Sequence, residues 1–342
     1  MKLSTTLHYA GDVHSTVDRA VALERAGLDT AWVAEAYGYD AVSILGYLAA
    51  RTTTLGIGTG ILNIYSRTPA TIAQTIAGLD AVSAGRALLG LGASGPQVIE
   101  GWHGLPYTKP LARTRDVVEF TRRALRREVV SYRGATVRVP LDPALGTGLG
   151  KPLKMLTRPL RPRVPIYLAA LGVKNVELAA EIAEGWKPLF FLPERAGETW
   201  GGAIAAGRAV RPAELGELQI VAGGLLAIGG DRAALRDLAR PTLALYIGGM
   251  GARGKNFYND LVRRYGYEKE AELIQDLYLA GRKVEAEAAV PDELIDRTNL
   301  VGPEGFVRER LAAYREAGVT MLNVDPVGPD AAALVEKVRN WL

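Results

Sequence analysis

The sequence contains no cysteine among its 342 residues. Without a thiol, the chain can form neither a disulfide nor a thiolate nucleophile, and it offers no sulfur ligand to a metal. Histidine is also scarce, because His8, His14 and His103 are the only three, and none stands at i,i+4 spacing or beside a carboxylate cluster. We therefore expect no metal site. The lack of cysteine is typical of the reducing cytoplasm, so we expect a cytoplasmic protein.

Aromatic residues are few, and neither sign of charge dominates. Aromatics make up 7% of the chain, and 41 basic residues against 37 acidic ones leave a net charge of +4. A nucleic-acid-binding protein should combine a basic face with aromatic platforms or a known module, and no such combination occurs. No apolar run reaches the roughly 18 residues that a membrane helix needs. The sequence therefore predicts neither a nucleic-acid nor a membrane partner, and its basic clusters indicate either solvated surface or attraction for a small polyanion.

Strand-like and helix-like periodicities alternate along most of the chain. Strand patterns begin near residues 3, 31, 55 and 87 and return at 166–169, 189–192, 218–228 and 319–324. Asp40 and Thr68 are predicted to cap the second and third helices. Ser15 or Thr16 is predicted to cap the first. Repeated strand–helix units favour parallel strands with right-handed crossovers, and eight units predict an α/β fold, a (β/α)8 TIM barrel formed by one domain over residues 1–342.

Two segments fall outside this repeat and are predicted to be insertions after strands 4 and 7. The first, 128–165, suggests a short hairpin around Arg133 and Gly134, followed by a loop rich in glycine and proline. The second, 240–300, has a mostly helical pattern. Neither has a hydrophobic pattern sufficient to fold alone, so both are expected to belong to the barrel domain.

The carboxyl ends of the predicted strands are rich in glycine and poor in charge. Active sites of (β/α)8 barrels lie at this end. Such a lining suits a large, flat, mainly apolar ligand whose phosphate or carbonyl groups bind backbone N–H groups. Glu35 and His8 stand at strand ends and are the candidates for acid–base catalysis. The alternatives are a structural ion pair or helix cap for Glu35 and a partly buried, satisfied imidazole for His8.

The segment 90–95 reads GLGASG and matches the dinucleotide-binding pattern G-x-G-x-x-G. That pattern requires a helix to begin inside the motif. Here Pro96 and the segment GWHGLPYTKP separate the glycines from the next helix, which is expected near Arg113. The sequence therefore favours a glycine-lined barrel mouth over a dinucleotide fold, with simple tight turns as the other alternative.

One long segment of the chain resembles a known family. It runs TLGIGTGILNIYSRTPATIAQTIAGLDAVSAGRALLGLGASGPQVIEGWHG, and the likeness continues through VPIYLAALGVKNVELAAEIAEGW to AGVTMLNVDPVG. These segments, in this order, are similar to the bacterial luciferase-like flavin and deazaflavin oxidoreductases. Within them the chain resembles the branch that depends on coenzyme F-420, an 8-hydroxy-5-deazaflavin, and that includes methylenetetrahydromethanopterin reductase.

The resemblance implies three cofactor-binding segments at the barrel mouth. The first contains a non-prolyl cis peptide bond, here Gly60–Ile61, that presses against the deazaflavin ring. The second is the loop 92–98 after the fourth strand. The third, 169–172, holds the cofactor phosphate. Glu35 corresponds to a polar position beside the ring. The implied cofactor-binding residues are Gly60, Ile61, Asn63, Gly92, Ala93, Ser94, Gly95, Pro96, Gln97, Val98, Ala169, Ala170, Leu171 and Gly172.

The function that the resemblance implies is hydride transfer between F-420 and an organic small-molecule substrate, in a protein that forms a homodimer. Glu35 or His8 would donate or accept the accompanying proton. Two alternatives stay open: an FMN-dependent monooxygenase, and a non-catalytic barrel that carries a flavin or deazaflavin.

Overall fold

The computed structural model describes residues 1–7, 11–328 and 330–342. Its strands are β1 (Lys2–Leu7), β2 (Thr30–Val33), β3 (Gly56–Thr59), β4 (Leu62–Asn63), β5 (Ala87–Gly92), β6 (Tyr132–Arg133), β7 (Arg138–Val139), β8 (Ile166–Leu168), β9 (Gly185–Trp186), β10 (Gln219–Ala222), β11 (Leu225–Ile228), β12 (Leu300–Gly302), β13 (Met321–Asn323) and β14 (Asp325–Pro326). Its helices are α1 (Val13–Arg25), α2 (Ala41–Arg51), α3 (Pro69–Val82), α4 (Pro96–Gly101), α5 (Pro110–Leu125), α6 (Val173–Ile182), α7 (Pro193–Ala209), α8 (Arg232–Asp237), α9 (Arg240–Ala244), α10 (Phe257–Arg264), α11 (Glu268–Leu279), α12 (Lys283–Ala288), α13 (Asp292–Thr298), α14 (Glu304–Glu316) and α15 (Ala331–Arg339).

Eight of the described strands form a closed parallel barrel. They are hydrogen-bonded in the order β3-β2-β1-β13-β10-β9-β8-β5. The pairing of β3 with β5 closes the circle, with Ile57 opposite Ala87 and Gly58 opposite Leu88. The predicted (β/α)8 barrel is confirmed. All carboxyl ends of the eight strands therefore meet at one mouth.

The first three helices begin where local capping chemistry allows. The N-caps of α2 and α3 are Asp40 and Thr68, whose side chains accept hydrogen bonds from N–H groups three residues on, and both were predicted. The prediction of Ser15 or Thr16 as the first cap is wrong. The cap is Asp12, which accepts from the Ser15 N–H at 2.7 Å. An ionised carboxylate is favoured at a helix N-terminus, so the helix begins earlier than its apolar pattern suggests.

Two strands differ from their predicted positions. The sixth barrel strand is Gly185–Trp186 and not 189–192, because Pro188 has no N–H to donate to a strand ladder. The buried Phe190 and Phe191, which suggested a strand, belong to the loop after it. The predicted strand 218–228 is divided at Gly223 and Gly224 into β10 and β11. Strand β11 pairs with β12 and β14 in a small separate sheet.

The first insertion is anchored to the barrel by one buried carboxylate. It contains the predicted hairpin, in which β6 and β7 pair antiparallel. Asp116 on α5 accepts hydrogen bonds from the Tyr132 hydroxyl at 2.9 Å and from the Thr136 hydroxyl at 2.7 Å. The second insertion, from α9 to α13, is mostly helical, as predicted.

Candidate functional site

A cis peptide bond joins Gly60 to Ile61 at the carboxyl end of β3, the bond that the family resemblance singles out. The strand passes very close to Trp32, which is fully buried. A Cβ on Gly58 would lie 2.3 Å from the Trp32 ring, and one on Gly60 would lie 2.8 Å from Trp32 Cβ. Real Cβ atoms do not approach so closely, so glycine at both positions lets β3 pass over the tryptophan.

The three predicted cofactor segments meet at Gly92. A Cβ on Gly92 would lie 2.9 Å from Ile61 Cδ1 and 3.5 Å from Ala169 Cβ. Gly92 on β5 thus touches the cis-peptide segment on one side and the 169–172 segment on the other. Thr59 fixes this alignment, because its hydroxyl donates to the Gly90 carbonyl at 2.8 Å and accepts from the Gly90 N–H at 2.7 Å.

Indole groups of two tryptophans hold the segment 169–172. Trp186 Nε1 donates to the Ala170 carbonyl and Trp200 Nε1 to the Leu171 carbonyl, both at 2.9 Å. Helix α6 follows directly, with Gly172 as its N-cap and no side-chain capping hydrogen bond. Uncapped N–H groups and the helix dipole together make such a terminus suitable for an anion.

The segment 92–98 turns sharply at Ser94 and enters the short helix α4 at Pro96, so the expectation that the next helix begins near Arg113 is wrong. Ser94 adopts a left-handed φ of 57°, and its carbonyl accepts a hydrogen bond from the Tyr107 hydroxyl at 3.2 Å. Burial raises the pKa of Tyr107 to about 12, so this hydroxyl remains a donor at neutral pH. A cavity of about 360 Å³ lies between α4 and the second insertion, lined by Pro96, Glu100, Tyr107, Gly254, Lys255, Phe257 and Asp260.

Glu35 is engaged by neighbouring groups. The two guanidinium nitrogens of Arg67 each donate to one of its carboxylate oxygens, and the Ala41 N–H donates to Oε2 at 3.0 Å. Side-chain exposure is 11% for Glu35 and 17% for Arg67. The hydrogen bond to Glu35 raises the pKa of Arg67. These contacts favour the structural ion pair and helix cap, the alternative that the sequence left open for Glu35.

Of the other candidate residues, Asn63 on β4 pairs with Gly92 on β5 and so lies in the cluster of cofactor segments. His8 falls outside the described residues. Asn63 is buried, and its Oδ1 accepts from the Tyr65 N–H at 2.8 Å, so it stabilises the turn after β4. The exposed rings of Tyr37 and Trp102 lie 6.4 Å apart, one after β2 and the other after α4.

Lys187 was missed in the sequence. It lies directly after β9, and its Nζ lies 5.4 Å from the centroid of the Trp32 ring. Desolvation lowers the pKa of Lys187 to about 8. The expected strand 189–192 begins after Lys187, and a residue in front of a barrel strand lies at the end opposite the mouth. Gly185 and Trp186, the two residues before Lys187, were the signal that could have located β9.

Two further findings concern the described part of the chain. It contains no group of three or more His, Asp or Glu side chains arranged to hold a metal ion. None of its helices has both the length and the hydropathy needed to cross a bilayer.

Comparison with known proteins gives a consistent result. The family model for luciferase-like monooxygenases matches residues 1–321. A protein of Mycobacterium tuberculosis, whose name assigns it as a prediction to the coenzyme F-420-dependent oxidoreductases, is 42% identical, with 99% of this chain and 97% of that protein covered. The 5,10-methylenetetrahydromethanopterin reductase of Archaeoglobus fulgidus is 29% identical, with coverage of 92% and 90%.

A solved structure has the same fold over the whole chain. The coenzyme F-420-dependent tetrahydromethanopterin reductase of Methanopyrus kandleri superposes with a TM-score of 0.78 at 22% identity, covering 98% of this chain and 96% of that one. Because the two sequences are only 22% identical, this likeness shows a shared fold and nothing about function.

Proposed function

The chain belongs to the luciferase-like monooxygenase family, and on that premise we propose that it is an F-420-dependent oxidoreductase that transfers a hydride between the deazaflavin and an organic substrate. The contact of Gly92 with both Ile61 and Ala169 carries the proposal, because it unites three segments into one continuous surface at the barrel mouth. The relative that is 42% identical supports F-420 as the cofactor.

The residues at the mouth fit a phosphorylated, flat cofactor. A Cβ on Gly95 or Gly172 would meet no protein atom within 4 Å, and both have ordinary negative φ values. Neither packing nor conformation therefore requires glycine at these two positions. A ligand that approaches the backbone closely would require it, because a side chain there would be in the way. We assign the phosphate to the N-terminus of α6 and the ring to the surface formed by Ile61, Gly92 and Ala169.

F-420 would supply a carbon-bound hydride, and the protein supplies position and a water-poor environment. The cis-peptide segment and Gly92 orient the ring. The indole donors of Trp186 and Trp200 fix the carbonyls of the segment beneath α6 and keep its N-terminus in place. We assign Glu35 a positioning role, since its contacts with Arg67 and the Ala41 N–H tie the loop after β2 to α2 and to the loop after β4.

Titration with cofactors tests this assignment. Purified protein is titrated separately with F-420 and with FMN, and binding is followed by fluorescence. Micromolar or tighter affinity for F-420, with weaker binding of FMN, is the expected result. Preferential FMN binding with substrate-dependent oxygen uptake would instead identify a monooxygenase. Tight F-420 binding without turnover on a panel of aldehydes, alcohols and enoyl compounds would indicate a carrier.

We also propose that the protein acts as a cytoplasmic homodimer. The absence of cysteine fits a reducing compartment. The first insertion exposes apolar side chains that a second copy could cover: Leu141, Leu145, Leu149, Leu153 and Leu156. Sedimentation equilibrium tests the assembly, and a Leu149→Ser, Leu156→Ser double variant should shift it toward monomer. A monomeric wild-type protein would refute it.

A further inference from the structure

Lys187 lies at the end of the barrel that carries the proposed cofactor segments. Its N–H donates to the Leu168 carbonyl at 2.9 Å, and the register that pairs Leu168 with Trp186 sets Lys187 beside Ala169. Trp186 faces outward, because its indole packs against Trp200 in the helical layer. Successive side chains of a strand point to opposite faces, so the Lys187 side chain points into the barrel.

The ammonium group lies against the tryptophan that supports the cis-peptide segment. Nζ is 5.4 Å from the centroid of the Trp32 ring, and Trp32 packs directly beneath Gly58 and Gly60. The amine thus lies over the tryptophan that packs against the cis-peptide segment, and the backbone of Lys187 lies beside Ala169, where another segment assigned to the cofactor begins.

This cation has no acidic partner among the described residues. The side chains that cluster with Trp32 are apolar or neutral: Tyr167, Val221 and Met321. Desolvation is the one cause that shifts the pKa of Lys187, and it lowers that pKa to about 8. The side chain is therefore charged below pH 8 and increasingly neutral above it.

Other ionisable groups also lie near this end of the barrel. Within the barrel strands, the only other ionisable side chains are Lys2, which is exposed at the amino end of β1, and Tyr167. Burial raises the pKa of Tyr167, whose hydroxyl donates to Gln219 and stays neutral near pH 8. Several charged groups around this mouth have other partners: Glu35 pairs with Arg67, Asp325 with Arg19, Asp12 and Asp40 cap α1 and α2, Arg113 donates to the Ile64 carbonyl, and Arg264 donates to the Leu171 carbonyl. His8 follows β1 and lies outside the described residues.

A purely structural role accounts poorly for this arrangement. A lysine at a strand end normally extends its amine into water and buries only its aliphatic stem. Here the side chain is only partly exposed, and its amine lies over an indole ring among apolar side chains, where an unpaired charge is costly. Desolvated groups of this kind, facing a cleft, are concentrated at functional sites.

We propose that Lys187 is a cofactor-facing amine that takes up a proton from solvent when the anionic deazaflavin cofactor binds. The proton forms the third N–H bond of the amine, and the resulting ammonium balances the negative charge of the ligand and holds a proton inside the site for the hydride-transfer step. The proposal rests on the proposed function, since it requires F-420 to bind at this mouth.

Chemical labelling of the free protein tests the state of the amine without any cofactor. Trace acetylation at a series of pH values, read by mass spectrometry of the Lys187 peptide, should give a reactivity midpoint near 8. Lys337 on α15, which is exposed and paired with Glu304, is the internal control. Saturating F-420 should suppress labelling of Lys187 and leave that of Lys337 unchanged. A Lys187 midpoint near that of Lys337, or labelling unaffected by F-420, would overturn the proposal.

Proton uptake on binding gives the decisive readout. Titration with F-420 near pH 8, with calorimetry in buffers of different ionisation enthalpy, should show that wild-type protein takes up a fraction of a proton. Lys187→Met should lose this uptake and bind F-420 about tenfold more weakly, the equivalent of one pKa unit. Lys187→Arg should keep the affinity and lose the uptake, because arginine stays charged throughout. Lys337→Met should behave as wild type.

The possible failures are distinguishable. If wild-type protein does not bind F-420, the proposed function fails, whatever the labelling shows. If wild-type protein binds F-420 and Lys187→Met retains both its affinity and its proton uptake, only the role of Lys187 fails.

Discussion

Glu35 and Arg67 form a two-point ion pair across two loops of the barrel mouth, although 32 residues separate them in the chain. The guanidinium approaches from the loop after β4, and the carboxylate lies after β2. The Ala41 N–H adds a third hydrogen bond and ties the pair to the start of α2. Both oxygens of this carboxylate accept hydrogen bonds from neighbouring groups, which fix its position.

Replacing Glu35 or Arg67 tests whether Glu35 positions the loops of the mouth or takes part in catalysis. We expect Arg67→Ala to lower the free energy of unfolding by up to about 3 kcal/mol, because it leaves a nearly buried carboxylate without its counter-ion. Glu35→Gln should be milder, since the amide oxygen can still accept from Ala41. Urea denaturation measures both effects.

The same variants should bind F-420 more weakly in proportion to their loss of stability. A Glu35→Gln protein with wild-type stability and cofactor affinity but no turnover would contradict the positioning role and restore Glu35 as the proton donor.

Close packing of Gly58 on Trp32 gives a second prediction. A Cβ at position 58 would lie 2.3 Å from the Trp32 ring. Gly58→Ala should therefore cost about 1–3 kcal/mol through overpacking. Gly46→Ala is the matched control, because Gly46 lies within α2 and a Cβ there meets no atom within 4 Å. That control should be neutral or stabilising by up to about 1 kcal/mol. Equal losses in the two variants, measured by thermal and urea unfolding, would contradict the packing argument.

The barrel was predictable from the sequence because its determinants are local. Apolar periodicity located seven of the eight barrel strands near their positions, and the caps Asp40 and Thr68 lie next to the helices they begin. The sixth strand was misplaced because Phe190 and Phe191 are buried, and apolar pattern alone cannot distinguish a buried loop from a strand.

The candidate site was less predictable because its contacts are distant in sequence. No local pattern reveals that Glu35 meets Arg67 or that Lys187 lies over Trp32, since both contacts depend on closure of the barrel. The residues around the cis peptide bond were placed by likeness to a family. Their meeting at Gly92 became visible only in three dimensions.

The carboxylate that anchors the first insertion gives a pH-dependent prediction. Burial acts to raise the pKa of Asp116, but hydrogen bonds from Thr136 and Tyr132 outweigh it and lower the pKa. A carboxyl with a lowered folded-state pKa stabilises the fold above its unfolded value, near 3.9, and this contribution is lost as pH falls through the folded value. Asp116→Asn should cost about 1–3 kcal/mol at neutral pH.

The measurement is the difference in free energy of unfolding between wild type and Asp116→Asn. This difference should be constant above about pH 5 and should shrink below about pH 4. Comparing the two proteins cancels the other carboxylates that titrate in the same range. A difference that does not change with pH would show that folding leaves the pKa of Asp116 unchanged.

The N-cap of α6 gives the sharpest test of the phosphate assignment, because stability and binding should change in opposite directions. Gly172→Asp supplies the missing side-chain cap, and a carboxylate also interacts favourably with the helix dipole, so the free energy of unfolding should rise by about 1 kcal/mol. The same carboxylate would repel the cofactor phosphate and should weaken F-420 binding by at least about tenfold. Gly201→Ala on α7, where a Cβ also meets no atom within 4 Å, is the control and should leave affinity unchanged. A Gly172→Asp protein that is more stable and still binds F-420 as tightly as wild type would place the phosphate elsewhere.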